Sequence, residues 1–299
     1  MKKCISLLYF MLATVVVAFA QSAGSSVVAD GAKPVLVASD YEFTEGPAVD
    51  RQGNVYFTDQ PNNRILKWTE GKGVTVFMEN AGRSNGLYFD RKGNLLACAD
   101  EKNELWSITP DKKVTVLIRD FEGKKLNGPN DLWIDPKGGI YFTDPFYKRP
   151  YWTRTTQEIE TCNVYYLSPD GKKLTMVMDG FNRPNGIIGS PDGKTLYVSD
   201  IAGGKTYSFK IQPDGTLTDR KLFVEMGSDG MTLDSKGNLY LTGKGVTVFD
   251  KSGNKVDHIA IEEPWTANVC FAGKKGKTLF VTASKSVYTV QMKVKGAGL

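Results

Sequence analysis

EGPAVD at 45–50, NGLYFD at 85–90, NDLWID at 130–135 and DGMTLD at 229–234 share one pattern: an oxygen-bearing residue, a short apolar stretch, then Asp. NGIIGSPD at 185–192 and NVCFAG at 268–273 are looser copies, which makes six. Successive copies lie about 40 to 55 positions apart, close to the length of a four-stranded propeller blade. Each copy continues alike, with a Gly/Asn turn such as QGN at 52–54, KGN at 92–94, KGG at 137–139 or KGN at 236–238. Such turns reverse a chain tightly. Second strands follow as VYFTD, LLACAD, IYFTD, LYVSD, LYLTG and LFVTA, and third strands as RILKWT, ELWSIT, NVYYLS, KTYSFKI, GVTVFD and SVYTVQM. Fourth strands number only five: VTVFME, VTVLIR, LTMVMD, KLFVEM and VDHIAI. PVLVAS at 34–39 supplies the sixth, so the N-terminal strand is expected to join the last blade and cover its open edge. The expected fold is all-β: a six-bladed propeller of four antiparallel strands per blade, with one core between the blades and no useful helical pattern.

The first residues read differently. Lys2 and Lys3 precede an apolar run over 5–17 and then Ala18-Phe19-Ala20, the layout of a cleavable secretory signal too short to span a bilayer comfortably. The expectation is a signal peptide at 1–20 and a single domain at 21–299, exported to the periplasm or beyond, with no membrane attachment once mature. The formal charge of +5 on 299 residues is small and evenly spread, which argues against a nucleic-acid partner. Beyond Cys4, three widely spaced cysteines, Cys98, Cys162 and Cys270, form neither a disulfide framework nor a metal-type C-x-x-C; buried thiols are expected.

In a propeller the innermost strands line a central channel, and equivalent positions form a ring. The six leading residues are Glu45, Asn85, Asn130, Asn185, Asp229 and Asn268, all polar at the start of otherwise apolar strands. Two carboxylates and several amides facing one axis make a site for a hard cation, since Ca²⁺ takes six to eight oxygen ligands. The single histidine, His258, lies in an expected outer strand, so a His-rich zinc or iron site is unavailable. The same histidine would have to serve any Ser-His-Asp triad, and no G-x-S-x-G elbow occurs. The Asp residues at second-strand ends, Asp59, Asp100, Asp144 and Asp200, read as turn caps. Asp144 alone is placed near the pocket as a substrate contact. The stretch 145–162 is the one long irregular segment; it carries Phe146, Tyr147, Tyr151 and Trp152, and reads either as an ordinary loop or as a pocket wall.

EGPAVD (45–50), LNGPNDLWIDPKGGIYFTDP (126–145), RPNGIIGSPDGKTLYVSD (183–200) and DGMTLDSKGNLYLTG (229–243) closely resemble the gluconolactonase branch of the family that includes senescence marker protein and luciferin-regenerating enzyme. The likeness runs from Glu42 through the rest of the chain. It implies a six-bladed propeller with one divalent cation, Ca²⁺ first and Mg²⁺, Mn²⁺ or Zn²⁺ as alternatives, hydrolysing a lactone. By matching motifs, Glu45, Asn185 and Asp229 would hold the ion. Asn130 would be a fourth ligand or a substrate contact, and Asp229 also the general base. Asn85 and Asn268 complete the ring as substrate contacts. The vertebrate branch carries an Arg near the PND-like motif, where this chain has Lys124, Lys125 and Asn127. The resemblance implies a small-molecule lactone as partner. Two other readings remain open: a phosphotriesterase-like or other ester hydrolase on the same site, and a non-catalytic carbohydrate- or partner-binding propeller with a structural ion.

Overall fold

Residues 27–299 are described by the computed structural model, so the signal expected at 1–20 lies outside the described residues. Blade 1 consists of Thr44–Val49, Val55–Asp59, Arg64–Thr69 and Gly73–Glu79, hydrogen-bonded in that order. Blades 2 to 5 repeat the arrangement, starting from Ser84–Phe89, Leu132–Ile134, Pro184–Gly189 and Met231–Leu233. Blade 6 has Thr266–Ala272, Thr278–Ala283 and Ser286–Gln291, and its fourth strand is the N-terminal Val35–Ala38. Val35 pairs with Thr289 and Leu36 with Tyr288, so the ring closes as the strand count required. No helix occurs among the described residues, and the one extra sheet is a short hairpin of Asp120–Phe121 with Lys124–Lys125.

Most second strands are buried along their whole length, as Val55–Asp59, Leu95–Ala99 and Ile140–Asp144 show, while Thr195–Asp200 is buried only in part. A strand covered on both faces reads as a continuous apolar run rather than an alternation. Period two still decides which neighbour each side chain meets: Val55 and Phe57 pack toward blade 6 with Phe280, whereas Tyr56 packs toward blade 2 with Leu87. The expected single core is instead divided into six clusters, one at each blade interface. Cys98 and Cys270 are buried free thiols within them, and Cys162 is half-buried. His258 sits on the outer strand Lys255–Ile259 and shares a hydrogen bond with Thr247 at 3.1 Å.

Candidate active site at one mouth of the axial channel

Inner strands start at one mouth of the channel and end at the other, and the six leading residues all sit at the starting end. The pairing of inner with second strand slips there in four blades: between Glu45 and Ala48, Ser84 and Leu87, Pro184 and Ile187, and Thr266 and Asn268. In blades 3 and 5 the regular strand begins only at Leu132 and Met231, leaving Asn130 and Asp229 just ahead of it. Bulges of this kind free an inner position from the ladder and re-aim its side chain. In blades 1, 3 and 5 the hydroxyl one residue before the second-strand end then fastens blade to blade. Thr58 Oγ1 donates to the Asn85 carbonyl at 3.1 Å, Thr143 Oγ1 to the Asn185 carbonyl at 2.8 Å, and Thr242 Oγ1 to the Ala267 carbonyl at 2.8 Å. In blade 2 that position is Ala99, and Gly86 N donates to the Asn130 carbonyl at 2.7 Å across the next interface.

Glu45, Asn85, Asn130, Asn185 and Asn268 are all buried, and Asp229 is partly open to solvent. Asn268 Nδ2 donates to Glu45 Oε2 at 3.1 Å and lies 3.4 Å from Asp131 Oδ2. Trp265 Nε1 donates to Asp229 Oδ2 at 2.6 Å, and Asn185 Nδ2 donates to the Tyr147 hydroxyl at 2.9 Å. The Asn185 amide also lies against the Asp229 carboxyl and lowers its pKa. Space at this mouth is tight: a Cβ on Gly230 would overlap the Asn268 side chain, and one on Gly46, which has φ +48°, would overlap the Asn85 carbonyl.

Burial raises the pKa of the carboxyl groups of the ring, as it also does for Asp100 and Asp144. Burial first, and then the charges of Asp229 and Asp131, push Glu45 well above the usual carboxylate range. Burial pushes Asp131 up to about 7 and Asp229 up to about 6, the latter against the opposing effects of Trp265, Asn185 and Arg149. Among the described residues none of the three makes a salt bridge. Asn85 Oδ1 and Asn185 Oδ1 are buried with no donor. Buried polar atoms normally find partners, so orphaned oxygens beside uncompensated carboxylates are a donor set that fits a hard divalent cation. No group of three or more His, Cys, Asp or Glu arranged to hold a metal occurs among the described residues. Any ion here relies on amide oxygens together with Glu45 and Asp229.

The structure therefore brings Glu45, Asn185, Asp229 and Asn268 together and places Asn85 and Asn130 on the same rim. Asp144 is a correction. It is fully buried, and its two oxygens accept the backbone N–H groups of Asn127 at 2.9 Å and Gly128 at 2.7 Å. Fully buried and engaged in holding the chain that leads to Asn130, it presents no surface to a substrate. Three residues of the site were not foreseen: Asp131, Trp265 and Tyr147. Asp131 had a visible signal, being a second polar residue inside an inner-strand repeat, and Tyr147 lies in the stretch that reads either as an ordinary loop or as a pocket wall. Trp265 had none, because it approaches Asp229 from the next blade. A cavity of about 760 Å³ lies at the opposite mouth among Asp50, Asp90 and Leu299, and its inner end touches the site through Asp131 and Asn268.

Residues 43–285 match the family described as SMP-30/Gluconolactonase/LRE-like region. A gluconolactonase of Zymomonas mobilis subsp. mobilis is 31% identical over 300 residues, spanning 90% of this chain and 84% of that protein. The lactonase drp35 of Staphylococcus aureus is 29% identical over 234 residues, 73% of this chain and 69% of its own. The solved structure of a gluconolactonase from Xanthomonas campestris superposes with a TM-score of 0.82 at 30% identity, covering 89% of this chain and 91% of that one. With its six closed blades and the repeat-borne ring of oxygens at one mouth, the chain belongs to the SMP-30/gluconolactonase/LRE-like family.

Proposed function

We propose that this protein is an exported, divalent-cation-dependent hydrolase that opens a sugar lactone at the mouth formed by Glu45, Asn185 and Asp229. One observation carries the reading: Glu45 and Asp229 are held within electrostatic reach of each other without an ion-pair partner among the described residues, beside the donorless Asn185 Oδ1. The 31% identity to a gluconolactonase supports a lactone as the substrate class. A divalent cation held by Glu45, Asn185 and Asp229, with Asn130 near it and Ca²⁺ first among the candidates, would polarise the ester carbonyl.

The protein's own groups do the rest. Asp229 is the reachable carboxylate; Trp265 Nε1 fixes its Oδ2, the Asn185 amide lies against it, and a remaining lone pair of the carboxylate accepts the proton of the attacking water. Asn85 and Asn130 offer amide donors and acceptors to the ring hydroxyls of a sugar lactone. Asn268 is less available, because its Nδ2 is shared between Glu45 and Asp131. A carboxylate beside a cation is a weak base, so the arrangement suits a reactive cyclic ester and not an amide. Export rests on the Lys2-Lys3 and 5–17 pattern of the sequence.

Hydrolysis of glucono-1,5-lactone before and after exhaustive chelation tests the proposal. Loss of turnover, restored by Ca²⁺, Mn²⁺ or Zn²⁺, is expected. Full rate after chelation refutes metal dependence, and phosphotriester turnover without any lactone turnover moves the substrate class to other esters. A tightly bound ion with no turnover at all leaves a binding propeller.

A further inference from the structure

Asp59, Asp100, Asp144 and Asp200 occupy one repeat position, yet one of them behaves differently. Asp59 accepts the N–H groups of Glu42 and Phe43, Asp144 those of Asn127 and Gly128, and Asp200 those of Asn182 and Arg183. Each thereby fixes the chain entering its own blade, just ahead of the ring residue. In blade 2 that work passes to Asn63, whose Oδ1 accepts Arg83 N–H at 2.7 Å. Asp100 is released and reaches outward. Its carboxylate accepts Arg149 Nε at 2.8 Å, the Tyr151 hydroxyl, and Gln60 Nε2 at 3.2 Å, while its carbonyl accepts Trp152 Nε1 at 2.9 Å. The segment 145–162 leaves blade 3 and is pinned in this way to blade 2 as a strap.

Tyr147 is the strap's residue at the site. The Arg149 and Arg183 guanidinium groups lie over its ring at 5.2 and 4.8 Å, and its hydroxyl accepts Asn185 Nδ2. The Asn185 amide has two ends, and only nitrogen can face both an acceptor carboxylate and the phenol oxygen as donor. With Nδ2 so held between Tyr147 and Asp229, Oδ1 is the end left without a protein donor. We propose that Tyr147 is a positioning residue: presented by a strap that Asp100 anchors, its hydroxyl locks the Asn185 amide with the oxygen turned toward the ion. This rests on the proposed function and adds to it the device that orients one ligand.

Calorimetric titration of chelator-treated protein with CaCl₂ and with MnCl₂ tests it, since ion affinity is read without any substrate. Tyr147→Phe keeps the ring and removes the hydroxyl, and should raise the dissociation constant about three- to tenfold. In an Asn185→Ala background the same substitution should change affinity by less than about twofold, because the amide it orients is gone. Asp100→Asn should weaken the ion to a similar extent, with no further loss when combined with Tyr147→Phe. Unchanged affinity in Tyr147→Phe overturns the inference while leaving the proposed function standing. An equal loss in both backgrounds also overturns it, assigning Tyr147 a packing role only. Wild-type protein that takes up neither ion, nor Mg²⁺ or Zn²⁺ in the same titration, overturns both.

Discussion

Four inner strands end at one mouth of the channel in Asp50, Asp90, Asp135 and Asp234, and the same blades begin at the other mouth with Glu45, Asn85, Asn130 and Asp229. At the first mouth each carboxylate folds back on its own turn. Asp50 accepts the N–H groups of Gln52 and Asn54, both at 2.9 Å, together with the Asn54 side chain at 2.8 Å; Asp90 and Asp234 repeat the pattern. At the second mouth Glu45 and Asp229 lie within electrostatic reach of each other and an Asn185 oxygen has no donor. A ring of acids is therefore not in itself a site. What distinguishes the two mouths is how far donors satisfy the oxygens: each first-mouth Asp is closed onto its own turn, whereas at the second mouth Gly46 N–H and Asn268 Nδ2 both fall on Glu45 Oε2, and Asn85 Oδ1 and Asn185 Oδ1 have no donor.

The sharpest way to break this comparison is to remove one carboxylate from each mouth. Asp229→Ala or Glu45→Ala should lower kcat/KM for a lactone by at least about 10³-fold, the loss of a base and of an ion ligand together, with the β circular-dichroism spectrum retained. Asp90→Asn should leave kcat/KM unchanged and cost about 1 kcal/mol of stability in a denaturant titration, because a turn loses one acceptor. Full activity in the second-mouth variants, or an equal loss of turnover in Asp90→Asn, would erase the distinction.

Glycines give a smaller version of the same test. Gly230→Ala drives a methyl into the Asn268 side chain and should lower kcat/KM by about tenfold or more, through displacement of a ring residue. Gly93 has φ +86° and open space around it, so Gly93→Ala should cost about 1 kcal/mol of backbone strain and nothing in turnover.

The smallest expected effect is on pH-dependent stability. Asp131 and Asp229, at about 7 and about 6 when folded, and Glu45, raised as well, all lie above their unfolded values near 4. A raised carboxyl holds its proton more tightly in the folded state, so its contribution is fullest below about pH 4 and is lost as pH climbs to about 7. Metal-free protein should lose about 3 °C or more in Tm between pH 5 and pH 8, and saturating Ca²⁺ should remove most of that loss. A metal-free Tm that rises steadily over this range would show that the second mouth is not strained by its own charges.

The blade count, the N-terminal closing strand and the six ring positions were all legible in the sequence. The site was less so, and the reasons are local. Asp144 looks like a pocket residue because it follows IYFTD and precedes the long segment, but two backbone N–H groups from 16 and 17 residues earlier take its oxygens. Asp131 was passed over for its neighbour Asn130, since a strand's alternation does not hold where the ladder begins only at Leu132. Trp265 and Tyr147 reach Asp229 and Asn185 from other blades, and no spacing rule within one repeat encodes a contact between two.

Repetition by itself determined the architecture, because a period of apolar strands and Gly/Asn turns can bury its faces only by stacking on copies of itself. It also determined which residue of each blade stands at the channel mouth, since rotation carries equivalent positions to equivalent places. The tertiary structure alone decided which oxygens stay free there. That depends on donors arriving from neighbouring blades and from the strap at 145–162, and on how much water the packed walls exclude, and neither is a property of a repeat read in isolation.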